Sequence, residues 1–175
     1  GEKRNIATEN SKNEIIVCMD DDDYYPPVSV KTRVASLIHL DKKVVGCTGM
    51  GLFEVNKIIS AVSFSPYISS YYERFFESTF GFYRSFWENN KFLDTNVLEG
   101  RGLIENNLLE VEEVMSSNII VSLFHYKNTN QRMQIKGETN GSHFKFPEEL
   151  FNLITNIDCI EEETPQTEYN TKVNI

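Results

Sequence analysis

Polar residues fill positions 2–12, with Ile6 and Ala7 placed to point inward, the pattern of a short surface helix. A continuous apolar run follows at 14–19, rich in β-branched residues, and predicts a buried strand. It stops at four consecutive aspartates, Asp20 to Asp23. Tyr24, Tyr25, Pro26 and Pro27 come next and cannot continue a central strand. Over 28–40, Val30, Val34, Leu37 and Ile38 fall on one helical stripe, and the prolines before them suit a helix start. An apolar run at 43–47 then completes the order strand, acidic turn, helix, strand, which is an α/β arrangement.

Two strand-like runs at 51–55 and 58–64 meet near Asn56 and Lys57 and predict a hairpin. Residues 67–88 are dense in rings: Tyr67, Tyr71, Tyr72, Phe75, Phe76, Phe80, Phe82, Tyr83, Phe86 and Trp87. Rings of that size carry much of the buried area of a small domain, so most of them read as core. Residues 96–107 begin as a glycine-containing turn and pass into a helix. A second buried strand spans 118–124 and closes on His125, and a last helix is expected at 147–157 with Pro147 in its first turn. Beyond it, three consecutive glutamates and polar residues predict a disordered acidic tail at 161–175, after a domain covering 1–160.

A chain of 175 residues amounts to one domain, and 40% hydrophobic with 12% aromatic residues excludes a disordered or fibrous bulk. Lys and Arg number 17 against 26 Asp and Glu, a net charge of −9. That balance argues against nucleic-acid binding, which needs a basic face, and against docking on anionic lipid. No apolar run approaches the ~20 residues of a membrane span. Cys18, Cys47 and Cys159 are odd in number, far apart and without a CxxC pattern. They read as buried free thiols in a reducing compartment, so a cytoplasmic location is expected. A zinc site would need closer ligands and more histidines than His39, His125 and His143 provide.

The aspartates are the strongest chemical signal. Adjacent like charges repel unless something neutralises them, and a solvated surface turn is the plain alternative. Their place at the end of a strand favours chemistry, because open α/β sheets bind ligands outside the carboxyl ends of their strands. Asp20 and Asp22 project to one side of an extended segment. Two carboxylates there suit Mg²⁺ or Mn²⁺, which take oxygen ligands and keep positions for phosphate oxygens. An EF-hand does not fit, for want of the sixth-position glycine and the twelfth-position glutamate.

With Lys3, Arg4 and Asn5 before the strand and Pro26 after the aspartates, this stretch resembles family 2 glycosyltransferases of the GT-A fold. Those enzymes carry an "RN" helix, a hydrophobic strand, a DxD-type metal motif and a following proline. The likeness continues at Phe80 to Trp87, at Phe92 to Asp94, at Leu98 to Gly100 and at His125 to Thr129, and covers about residues 3–132. It implies a GT-A-like (Rossmann-like) mixed sheet flanked by helices, lacking its first strands, as the C-terminal two-thirds of the catalytic domain. It also implies that Asp20 and Asp22 belong to the metal motif, with Asp22 the direct ligand and Asp23 holding the loop or a metal-bound water. Four identical letters leave the register Asp21 and Asp23 open. By the same resemblance Arg4 and Asn5 face the nucleotide or its diphosphate, and His125 completes the metal site. Gly81 and Trp87 stand at the acceptor pocket, where core packing explains them equally well. The family's acidic pair before a helix falls at Glu99 and Gly100, so its second acid, the catalytic base, is missing here. Glu99 is the replacement candidate and Asp94 the runner-up; a helix-start carboxylate favoured by the macrodipole is the structural alternative for Glu99.

The implied reaction is a hexosyltransferase-like transfer of a sugar from a nucleotide-sugar, a UDP-sugar in the first instance, to a hydroxyl of a glycan, protein or lipid acceptor. A divalent cation stabilises the departing diphosphate, and attack on the opposite face inverts the anomeric centre. Two other classes use the same residues: a metal-dependent phosphohydrolase or phosphotransferase, and a non-catalytic nucleotide-sugar-binding remnant.

Overall fold

A computed structural model describes residues 1–66, 68–124 and 146–155. Tyr67, His125, His143, Cys159 and the expected tail at 161–175 lie outside the described residues. The chain divides into two compact units, Gly1–Phe144 and Lys145–Ile175.

The first unit is mixed α/β, with two mixed sheets flanked by helices. In the first sheet, β1 (Ile15–Val17) pairs antiparallel with β5 (Gly81–Tyr83), which pairs antiparallel with β2 (Val44–Gly46), which runs parallel to β6 (Val111–Glu113). The register sets Val17 and Val45 on either side of Gly81. In the second sheet β3 (Gly49–Glu54) lies between antiparallel β4 (Ile59–Phe64) and parallel β7 (Val121–Phe124). The predicted hairpin is β3 and β4, joined by a 3₁₀ turn at Val55–Lys57 and by Ile58 at φ 49°. Parallel pairs such as β2/β6 need crossovers, which the intervening helices and loops supply.

The helices are α1 (Glu2–Asn10), α2 (Ser29–His39), α3 (Arg84–Trp87) and α4 (Arg101–Ile104). One expectation about them fails and a second holds only in part. On α1, Ile6 and Ala7 are exposed, and the inward residues are Arg4, Asn5 and Thr8. On α2, Val30 and Ile38 are exposed, while Ser29, Arg33 and Leu37 are buried. The stripe at i, i+4, i+8 is the right period, but two of its three members are polar. Both helices turn polar side chains inward because strand ends and loops there offer carbonyls and carboxylates that accept from Arg4, Asn5 and Arg33. The expected strand at 14–19 shrinks to three residues that are only half-buried, because β1 is an edge of its sheet.

The first core gathers Cys18, Val44, Phe75, Phe80, Phe82, Trp87, Phe92, Leu103, Ile104 and Val111. Phe82 and Phe92 meet edge to face, with centroids 5.7 Å apart. Phe75, Phe80, Phe82 and Trp87 are core as predicted, but Tyr71 is exposed. A smaller cluster of Cys47, Met50, Ile119 and Ile120 lies beside the second sheet. Cys18 and Cys47 are buried free thiols, as expected. In the second unit, α5 (Glu148–Thr155) starts where the Pro147 carbonyl accepts the Phe151 N–H, 2.9 Å, with Glu148 and Glu149 in its first turn. Among the described residues, no helix is long and apolar enough to cross a membrane.

Candidate functional site

The acidic turn leaves the carboxyl end of β1 and is tied down at both ends. At its start, the Asp20 N–H donates to the Tyr25 hydroxyl, 2.8 Å, which in turn donates to the Ser78 carbonyl, 3.3 Å. At its end, Asp23 Oδ1 accepts from the Ser122 hydroxyl, 2.8 Å, and from the Leu123 N–H, 3.1 Å, both on β7. Tyr24 and Val121 exchange both backbone hydrogen bonds, at 2.9 and 2.8 Å. Asp23 therefore holds the loop, one of the two roles expected of it. Asp21 and Asp22 are the exposed members, while Asp20 and Asp23 are half-buried.

Three residues far apart in sequence meet beside the turn. The Arg4 Nη2 lies 2.9 Å from Asp20 Oδ1, and its Nε lies 3.2 Å from Glu99 Oε2. One guanidinium thus bridges the first acid of the metal-type motif and the candidate base. The three side chains are about a quarter exposed, 22%, 29% and 27% in the order Arg4, Asp20, Glu99, so solvent reaches them while the pairs are partly shielded. Burial works against the Arg4 charge, but Cys18, Asp20 and Glu99 more than offset it and raise its pKa, holding it protonated.

The loop that carries Glu99 is shaped by α1 as well. Asn5 donates to the Phe92 carbonyl, 2.8 Å, and its Oδ1 accepts from the Trp87 Nε1, 2.9 Å, and the Phe92 N–H, 3.1 Å. Those bonds commit the Asn5 amide and the Trp87 indole to the fold. The Glu99 carbonyl accepts the Leu93 N–H, 2.8 Å, and Leu98 stands at φ 54°. Gly100 has an ordinary backbone, but a Cβ there would lie 2.5 Å from the Phe80 ring. The position where the resemblance expects a second acid has no room for a side chain. Asp94 is exposed, outside the Arg4 pairs. Gly81 is buried in the sheet, where a Cβ would come within 3.3 Å of Arg33 and 3.2 Å of Val45.

Among the described residues, no group of three or more His, Cys, Asp or Glu is placed to hold a metal ion. The donors present are the carboxylates of one turn, of which Asp20 is paired with Arg4 and Asp23 accepts from Ser122 and Leu123, while Asp21 and Asp22 are exposed. Such a set fits Mg²⁺ or Mn²⁺ of the kind bound through one or two carboxylates plus water and substrate phosphates, and does not fit an all-protein cage. Sequence reasoning missed Tyr25, Arg33 and Ser122 as supports of the turn. The one available signal was that Arg33 stands one helical turn before Leu37, a residue of the expected apolar stripe. No protein-family model matches the chain, and no curated protein matches it either.

Proposed function

We propose that this chain is a metal-dependent glycosyltransferase of the GT-A type, transferring a sugar from a nucleotide-sugar donor to an acceptor hydroxyl. The observation that carries the reading is the meeting of Arg4, Asp20 and Glu99, each singled out for a separate role, in one ion-paired cluster at the end of β1. The strand order, with β5 antiparallel between β1 and β2, agrees with a mixed Rossmann-like sheet. When bound, a divalent cation supplies charge neutralisation on the departing diphosphate. Asp22, exposed on the turn, and Asp20 would hold the cation. Arg4 exchanges Asp20 for a diphosphate oxygen, a change between two bidentate-capable anions that suits a guanidinium. Glu99 accepts the proton of the acceptor hydroxyl through Oε1, the carboxylate oxygen that Arg4 does not hold, as the hydroxyl oxygen attacks the sugar. UDP-sugars are the first donors to try.

Calorimetry of the protein with UDP, with Mn²⁺ and with both tests this. Binding of UDP is expected to depend on Mn²⁺ and to be lost in Asp22→Ala. Absent binding, or binding unchanged in that variant, refutes the assignment of the turn. Nucleotide binding with no transfer to any acceptor would make the chain a binding module instead.

A further inference from the structure

Four adjacent carboxylates repel, so a turn that must present them at a fixed place needs anchors. Arg33 is fully buried on α2, directly behind the turn. Its Nη1 donates to the carbonyls of Cys18, 2.7 Å, and Phe80, 3.4 Å; its Nη2 donates to Ser29 Oγ, 2.9 Å, and its Nε to the Ser29 carbonyl, 3.4 Å. No carboxylate pairs with it among the described residues. A buried cation without a counter-ion is costly, so packing alone does not account for an arginine here. Its guanidinium lies 5.6 Å from the centre of the Tyr25 ring, and the hydroxyl of that ring holds the Asp20 N–H. Ser29, the partner of Arg33, donates to the Ile119 carbonyl, 2.7 Å, just before the strand whose Ser122 and Leu123 hold Asp23. One connected set of hydrogen bonds and a cation–π contact therefore reaches both ends of the turn.

We propose that Tyr25 and Arg33 are positioning residues: they fix the acidic turn so that its carboxylates meet a metal–diphosphate at one geometry. This inference rests on the glycosyltransferase reading. Arg33 fixes the two carbonyls that flank the strand exit and holds the Tyr25 ring, and Tyr25 holds the first amide of the turn. The planar fork of arginine is what allows one side chain to serve several acceptors, which lysine cannot reproduce.

Two substitutions separate positioning from plain packing. Tyr25→Phe keeps the ring over Arg33 and removes only the hydroxyl. Arg33→Lys keeps the charge and removes the fork. Three readouts are taken on the folded protein: hydrogen exchange of the Asp20 amide, Mn²⁺ affinity in the presence of UDP by the electron paramagnetic resonance of free Mn²⁺, and the melting temperature. In Tyr25→Phe, Asp20 exchange is expected to accelerate, and Mn²⁺ affinity to fall about tenfold, the usual cost of losing a group that orients ligands. The melting temperature should fall by only a few degrees, since one part-buried N–H and one carbonyl lose their partner. Arg33→Lys should weaken Mn²⁺ affinity as well, with a larger loss of stability. A Tyr25→Phe protein with wild-type exchange at Asp20 and wild-type Mn²⁺ affinity overturns the proposal. A wild-type protein that binds no Mn²⁺–UDP overturns the transferase reading, and Asp20 exchange in Tyr25→Phe then decides by itself whether Tyr25 holds the turn.

Discussion

In the proposed reaction Glu99 is the base, and its surroundings account for an acid at 99 rather than at 100. A side chain at 100 would meet the Phe80 ring, so substituting there overpacks a core where added atoms cost about 1–3 kcal/mol. At 99 the carboxylate points to the Arg4 guanidinium instead. Glu99→Gln keeps the shape of the side chain and removes its basicity. Turnover is expected to fall by roughly 10²- to 10⁴-fold, the usual worth of a positioned base, with UDP–Mn²⁺ binding unchanged. Initial rates and calorimetry on the same preparation check both halves. Turnover retained in that variant moves the role to Asp94. Arg4 and Asp20 could be singled out from the resemblance, and Glu99 only as the replacement for an acid that the resemblance expects at 100. Their pairing was not legible, since nothing in the spacing of positions 4, 20 and 99 says that one guanidinium reaches both acids.

At the level of elements, hydrophobic periodicity located the helices and strands well and misjudged their faces. Of the apolar residues expected inward on α1 and α2, Ile6, Ala7, Val30 and Ile38 face solvent, Val34 is half-buried and Leu37 is buried as expected. Polar residues share the inner faces because Arg4, Asn5 and Arg33 serve carboxylates and carbonyls of the strand ends and loops beside them. Periodicity of apolar residues carries no information about such faces. Short strands such as β6 at Val111–Glu113 escaped for a related reason: three residues, two of them glutamate, show no alternation to detect. The inward face of α1 has a measurable consequence. Asn5 satisfies the Trp87 N–H and both backbone groups of Phe92, and so joins α1 to the loop that ends at Glu99. Asn5→Ala leaves partly buried polar groups without partners and is expected to cost about 1–3 kcal/mol. Urea unfolding measures the loss, and limited proteolysis should show faster cutting between residues 88 and 100. Unchanged stability together with unchanged cutting would mean that α1 does not hold that loop.

The whole molecule carries its −9 charge unevenly, with four aspartates in one turn braced by Arg4 on one side and by Arg33 and Tyr25 behind. Each core also contains one buried thiol, Cys18 in the first and Cys47 in the second. Burial is the leading cause that raises both, Cys18 to about 11 and Cys47 to about 12. Nearby Arg4 and Arg33 pull the Cys18 value back down, and Thr79 and Arg33 do the same for Cys47. An exposed thiol titrates near ~8.5, so the unfolded chain releases these protons first as the solution becomes alkaline. The native state then binds more protons than the unfolded state, and stability must fall with rising pH. The thiol contribution is fully present below about pH 8.5 and is lost as the pH climbs through the folded values. Each thiol can contribute a slope of up to ~1.4 kcal/mol per pH unit in that window. Urea midpoints between pH 7 and 10.5 should therefore decline above pH 8.5, and more shallowly when Cys47 is replaced by Ala. Burial also raises the Tyr25 hydroxyl, which extends the decline at the alkaline end and removes the anchor of Asp20 only after the cores have weakened. A midpoint that stays level to pH 10.5 would show that both thiols reach solvent, and with that the two-core packing beneath the acidic turn would have to be redrawn.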